Sequence, residues 1–129
     1  MAFLKGYNSY PPNAWIKFAF RYFSKNTKEK GTMEFLVYKD GKTYVGVCLT
    51  LDIIEEGNDP ATLMESIVEA AEGYLKVVRK LNMNDDLLNR HAPKEYWDKY
   101  RQAVIATSGR KRVRSPYHFL ITPYAARSF

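Results

Sequence analysis

The chain has 129 residues, 46% apolar and 26% charged, a balance that fits one compact domain with a single core and excludes a multidomain enzyme. Lys17, Arg21, Lys39, Lys42, Asp52 and Glu55 interrupt every apolar run, so no stretch reaches the roughly 20 apolar residues of a membrane-spanning helix. The single cysteine, Cys48, excludes an internal disulfide, and with only His91 and His118 to help it builds no zinc site, so neither metal nor cofactor is expected. The formal charge of +6 is unevenly spread. Residues 1–32 carry six basic side chains against one acid, and residues 110–129 carry five against none. Residues 33–80 carry nine acids against five bases, which gives an acidic middle with cationic extensions. The N-terminal residues Met1 to Tyr7 hold too short an apolar stretch for a secretory signal, and the expected location is the cytoplasm.

Taken in chain order, residues 1–32 read as a basic, aromatic extension. Within it, residues 13–25 support two structures. Lys17, Arg21 and Lys25 line one side of a helix, while Ile16, Phe18, Phe20 and Tyr22 alternate as a strand, and the aromatic content favours the strand. Met33 to Lys39 is a strand, and Asp40-Gly41 supplies the positive φ of a type I′ hairpin turn. Thr43 to Thr50 is the return strand, in which Val45, Val47, Leu49 and Leu51 form the face expected on the core, opposite Tyr44, Gly46 and Cys48. Ile53 to Glu56 is a third short strand after a bend near Asp52.

Asp59 is a natural N-cap and Pro60 suits the first helical position, so a helix is predicted from Ala61 to about Lys80. Leu63, Ile67, Ala70, Ala71, Tyr74 and Val78 share its apolar stripe, which is expected to pack across the sheet. Leu87 and Leu88 dock as one short turn in an otherwise polar segment. A second helix is expected from Pro93 to about Ala103, with Tyr96, Trp97, Tyr100 and Val104 on one face. Residues 109–114 form a basic loop, and Tyr117 to Thr122 is a short strand before the tail. The resulting organisation is an extension over 1–32, a domain over 33–106 and a basic C-terminal segment over 107–129. The fold class is α+β, a small antiparallel sheet of three strands plus an extra one with one long helix packed on it.

The run from Phe35 to Asp59, followed by a Glu-rich helix ending in Gly73-Tyr74-Leu75, resembles the HicB-like antitoxin family. Its pattern is a hairpin, an apolar and acidic bend, and a Glu/Ala-rich helix with an aromatic-Leu pair. The likeness covers residues 33 to about 80, and the segment Leu87 to Trp97 looks like the continuation in small stand-alone relatives. The resemblance implies a reduced ribonuclease H-like fold without that fold's nuclease carboxylates. It also implies a partner, a small mRNA-cleaving HicA-type toxin that the protein covers. Only about thirty residues follow Trp97, too few for the DNA-binding domain that many members carry.

The chemistry-bearing residues support bland readings. Asp52, Glu55 and Glu56 could be taken as a nuclease-like carboxylate set, but Glu55 and Glu56 point to opposite faces of an extended strand, and a solvated edge explains them. Cys48 reads as a buried small hydrophobe rather than a nucleophile. His91 and His118 lack an acid or nucleophile at a useful spacing. Lys17, Arg21, Lys25, Arg110, Lys111, Arg112 and Arg114 are the candidate nucleic-acid contacts, because clustered cations release phosphate counterions and nearby aromatics stack on bases. Aromatic residues at 15% exceed the needs of a small core, which makes Tyr44, Trp97, Tyr117 and Phe119 candidates for a partner or homodimer interface. The expectation is a noncatalytic protein-binding module, with an RNA-binding accessory protein as the alternative.

Overall fold

A computed structural model describes residues 25–108 and 117–125. Four strands, β1 (Lys30–Asp40), β2 (Thr43–Cys48), β3 (Ile53–Gly57) and β4 (Tyr117–Ala125), form one antiparallel sheet in the order β3-β2-β1-β4. Helix α1 (Pro60–Lys80) packs on one face and α2 (Lys94–Ser108) on the other, with a 3-10 turn (Asp85–Leu88) between them. The chain is an α+β protein with its sheet as the middle of three layers. Of the strand expected over residues 13–25, residues 13–24 fall outside the described residues, and Lys25 lies in no strand. The fourth strand of the sheet is β4, which pairs with β1 from Lys30↔Ala125 to Tyr38↔Tyr117.

β1 is an inner strand of the sheet, and Met33, Glu34, Phe35, Leu36 and Val37 are buried without a break. Consecutive burial is what a strand covered on both faces requires. Met33, Phe35 and Val37 meet Leu63, Ile67, Ala71, Leu75 and Val78 of α1. Leu36 joins Val45, Val47 and Leu49 in a second cluster with Ala92, Tyr100 and Ala103. The Val45/Val47/Leu49 face is therefore buried, but not beneath the long helix. α1 lies instead against the face that carries Gly46 and Cys48. The reason is steric. A Cβ at Gly46 would lie 3.0 Å from both Ile67 Cγ1 and Leu63 Cγ, so the missing side chain lets α1 approach the sheet closely.

The hairpin turn also corrects the sequence expectation. Asp40 pairs with Thr43, so the loop is Gly41-Lys42. Gly41 has φ +67° while Lys42 is not among the positive-φ residues, the pattern of a type II′ turn, in which only the first central residue needs that conformation. The start of α1 is as read: Asp59 Oδ2 accepts from Thr62 N at 2.8 Å, Pro60 follows, and Arg79 and Lys80 lie in the last turn where they favour the helix dipole. Leu88 is buried in the 3-10 turn. α2 runs to Ser108, past the expected end, with Tyr100 and Ala103 buried and Tyr96, Trp97 and Val104 packed beside them.

The residues before β1 are tied to the fold by Asn26, which is buried. Its Nδ2 donates to Thr32 O at 3.0 Å and Leu88 O at 3.1 Å, and its Oδ1 accepts from Thr32 N at 3.0 Å. Asn89 Nδ2 donates to Asn26 O at 2.9 Å, while Lys28 Nζ reaches Asp85 Oδ1 at 2.8 Å and Tyr124 OH donates to Thr27 O at 2.7 Å. One polar network thus joins both ends of the described fold to the 3-10 turn.

Candidate functional site

β3 ends the sheet. Among the described residues no strand pairs with its outer edge, so its outward backbone groups are available for a further strand. The side chains alternate: Ile53 packs against the α1-side core, whereas Ile54 points to the other face and stays 44% exposed. Glu55 turns toward α1, where Ser66 Oγ donates to its Oε1 at 2.7 Å, and Glu56 is exposed. The bend before β3 sets Asp52 in the left-handed region at φ 58°, with an exposed side chain. At the far end Asp59 caps α1, and the amides it accepts from, Thr62 above all, hold its carboxyl below the usual value. Acids thus lie on β3, on the bend before it and at the N-cap of α1.

A second unusual group was not singled out by the sequence. Glu34 lies on the α2 side of β1 with only 2% of its surface exposed. Thr50 Oγ1 accepts from Glu34 N at 3.0 Å and donates to Glu34 Oε1 at 2.5 Å, and Oε2 is buried without a hydrogen-bond partner. Burial pushes the carboxyl up to about 7, against the smaller opposing effect of the Thr50 and backbone hydrogen bonds. The only sequence signal was a charge at an even position of an otherwise apolar strand. Nothing local indicated that both faces of β1 would be covered.

The sequence candidates separate in space. Trp97 and Phe119 flank Tyr100 in edge-to-face contacts with ring centroids 5.7 and 5.8 Å apart, and Tyr117 meets Tyr38 at 6.1 Å. These three half-buried aromatics belong to the α2-side cluster, while Tyr44 packs on the α1-side core. The four therefore do not make one surface. Of the candidate nucleic-acid contacts, Lys25 lies 3.4 Å from Asp86 with both side chains well exposed. Lys17, Arg21, Arg110, Lys111, Arg112 and Arg114 lie outside the described residues. Cys48 is fully buried and its thiol is pushed up to about 12 by burial, which keeps it protonated and unreactive at neutral pH. His91 sits in the loop before α2 with its ring centroid 5.9 Å from that of Trp97, and His118 is exposed on β4.

Among the described residues no three His, Cys, Asp or Glu side chains lie close enough to hold a metal ion, and Asp52, Glu55 and Glu56 diverge as their alternation requires. No helix among them is long and apolar enough to cross a membrane. The class defined by fold and site is an α+β protein with an open four-stranded antiparallel sheet, covered on both faces and ending in an acidic edge strand. No family model, curated protein or solved structure matches the chain.

Proposed function

We propose that the chain is a noncatalytic protein-binding module of HicB-like type that acts by covering a small, basic, mRNA-cleaving partner, an antitoxin-like role. The observation that carries this reading is the edge of β3, which no strand pairs among the described residues, with exposed Ile54 and Glu56 and with Asp52 and Asp59 close before and after it in the chain. Strand addition to such an edge supplies main-chain hydrogen bonds, and the alternate side chains supply selectivity. An enzyme that binds RNA presents cationic surface to phosphates, and acids around β3 attract that surface and compete with RNA for it. Two copies of β3 paired with each other would set Glu55 and Glu56 against like charges, which disfavours self-pairing at this edge. The order of hairpin, third strand and long helix over residues 33–80 accords with the HicB-like resemblance.

This role requires a toxin-sized reading frame beside the gene, and the test is co-expression with that frame, scored by growth, by integrity of bulk mRNA and by co-purification. The expected result is that expression of the neighbour alone halts growth and degrades mRNA, and that this chain restores both and copurifies. Ile54→Lys and Glu56→Lys alter exposed positions and should abolish protection while leaving the fold intact. A neighbour without toxicity, or protection unchanged in both variants, overturns the reading.

A further inference from the structure

β2 and β4 take up both edges of β1, so among the described residues a further strand can join the sheet only outside β4 or outside β3. The two edges differ. Asn26 holds both backbone groups of Thr32, which turns them away from β4 and makes Thr32 and Pro123 a pair without mutual hydrogen bonds. Pro123 thus faces outward at a position where it has no amide to offer. On the other side, Leu49 N bonds to Glu34 O at 2.9 Å, so Val47 and Val45 also turn to β1 while Gly46 and Cys48 turn to their partners Glu55 and Ile53. This alternation directs the amides and carbonyls of Ile54 and Glu56 outward. The flank of α1 along the same edge carries Ser66, whose hydroxyl donates to Glu55 at 2.7 Å. It continues as Ala70, Gly73 and Val77, which with Met83 and Leu87 line an apolar groove of about 470 Å³.

We infer that residues 13–24 of the same chain add a fifth strand antiparallel to β3, with Phe18, Phe20 and Tyr22 on the side of the α1 groove and Lys17 opposite Glu56. Two observations select this occupant. The first is the point of attachment. Asn26 N donates to Asn89 Oδ1 at 2.8 Å, Lys25 lies 3.4 Å from Asp86, and His91 N bonds to Thr50 O at 3.0 Å. The segment therefore joins the fold beside the 3-10 turn, at the end of the sheet where β2 passes into β3. A strand that ends there runs against the direction of β3, and its tether gives it a high local concentration that a second molecule lacks. The second observation is chemical. Ile16, Phe18, Phe20 and Tyr22 alternate with Lys17, Ala19 and Arg21, and residues 13–24 hold no acid. The aromatic face matches the groove, and the basic face matches Glu56, exposed on the other face of β3. With Lys17 opposite Glu56, Ala19 falls opposite Ile54, and both pairs use the outward backbone groups of β3. The inference goes beyond the antitoxin-like reading and does not depend on it. Where both hold, a partner strand has to displace residues 13–24, which serve as the cover of the edge.

Hydrogen exchange of the full chain, read by NMR at two protein concentrations, tests the inference. The expected result is protection of the Lys17, Ala19, Ile54 and Glu56 amides at least about tenfold over unpaired backbone, equal at both concentrations. Phe20→Asp should remove this protection while leaving the Phe35 amide of β1 protected. Lys17→Glu and Glu56→Lys should each speed exchange at Ala19 and Ile54 at least about threefold, and the Lys17→Glu/Glu56→Lys double variant should restore protection, since it keeps one opposite-charge pair. Exchange of the four amides at the unpaired rate overturns the inference. Protection that fades on dilution overturns it in favour of a second copy, and protection that Phe20→Asp leaves intact overturns it in favour of another segment. No partner is present in this experiment, so each of these failures leaves the antitoxin-like reading to its own test.

Discussion

The Thr50 hydroxyl donates to the buried carboxyl of Glu34 over 2.5 Å, and the same hydroxyl accepts the Glu34 backbone amide at 3.0 Å. This closed pair fastens the end of the hairpin, where Leu49 N also bonds to Glu34 O at 2.9 Å. One carboxylate oxygen nevertheless stays buried without a partner, so the ionised form is the poorer guest in this site.

The pH dependence of stability follows from that pair. The folded-state carboxyl is raised from 4.5 to about 7, so between these values the folded chain holds a proton that the unfolded chain has released. Stability from this group is therefore full below about pH 4.5 and falls as pH rises to about 7, by about 3 kcal/mol in all at 1.36 kcal/mol per unit. Glu34→Gln keeps the shape and the acceptor for Thr50 but cannot ionise. Urea unfolding at pH 5 and pH 8 should show the variant more stable than the parent at pH 8, with a flatter dependence between the two. A parent whose stability does not change over that range contradicts the assignment.

Asn26→Ala should destabilise the chain by about 3 kcal/mol. It removes three side-chain hydrogen bonds, to Thr32 and Leu88, in a buried site where the abandoned backbone groups meet little water. Thermal or urea unfolding measures the loss. Hydrogen exchange should show it concentrated where β1 begins and at the 3-10 turn.

Gly46→Ala should cost about 1–3 kcal/mol, although alanine has the better intrinsic strand propensity, because the new methyl meets Leu63 and Ile67 at 3.0 Å and pushes α1 off the sheet. Leu63→Ala combined with Gly46→Ala should lose less than the sum of the two single changes, since the shorter side chain relieves the clash. A double-mutant cycle in urea reads the coupling directly.

Gly73→Ala should act in the opposite direction. The position is helical and open among the described residues, so alanine gains about 1 kcal/mol from reduced backbone freedom in the unfolded chain, read as a higher urea midpoint. Gly46 lies beneath α1 and Gly73 on its exposed side, so the local surroundings, rather than residue type, set the opposite signs.

The elements themselves were legible because their causes are local. Asp59 and Pro60 mark the start of α1, and the three- and four-residue spacing from Leu63 to Val78 marks its buried side. The hairpin and β3 were visible in short apolar runs bounded by Gly41 and Gly57, and the second helix in the shared face of Tyr96, Trp97 and Tyr100. The turn type was misjudged because Asp40-Gly41 permits more than one turn, and only the pairing of Asp40 with Thr43 fixes the loop. The placement of the candidate interface aromatics was not legible, because it takes the packed layers to set the half-buried rings of Trp97, Tyr117 and Phe119 on one side of the sheet and Tyr44 on the other.

The sequence by itself therefore determined the α+β class, the caps and period of α1, and the two alternating faces of β2. Periodicity is a property of a single segment and survives without its neighbours. Only the tertiary structure decided which face of β2 takes α1, since both are apolar and the choice rests on how closely a helix can approach Gly46. It likewise decided that β4 pairs with β1, that Glu34 is sealed between layers, and that α1 and the 3-10 turn leave an apolar groove beside Gly73. Each of these joins residues far apart in the chain, and their proximity comes from packing that no local pattern encodes.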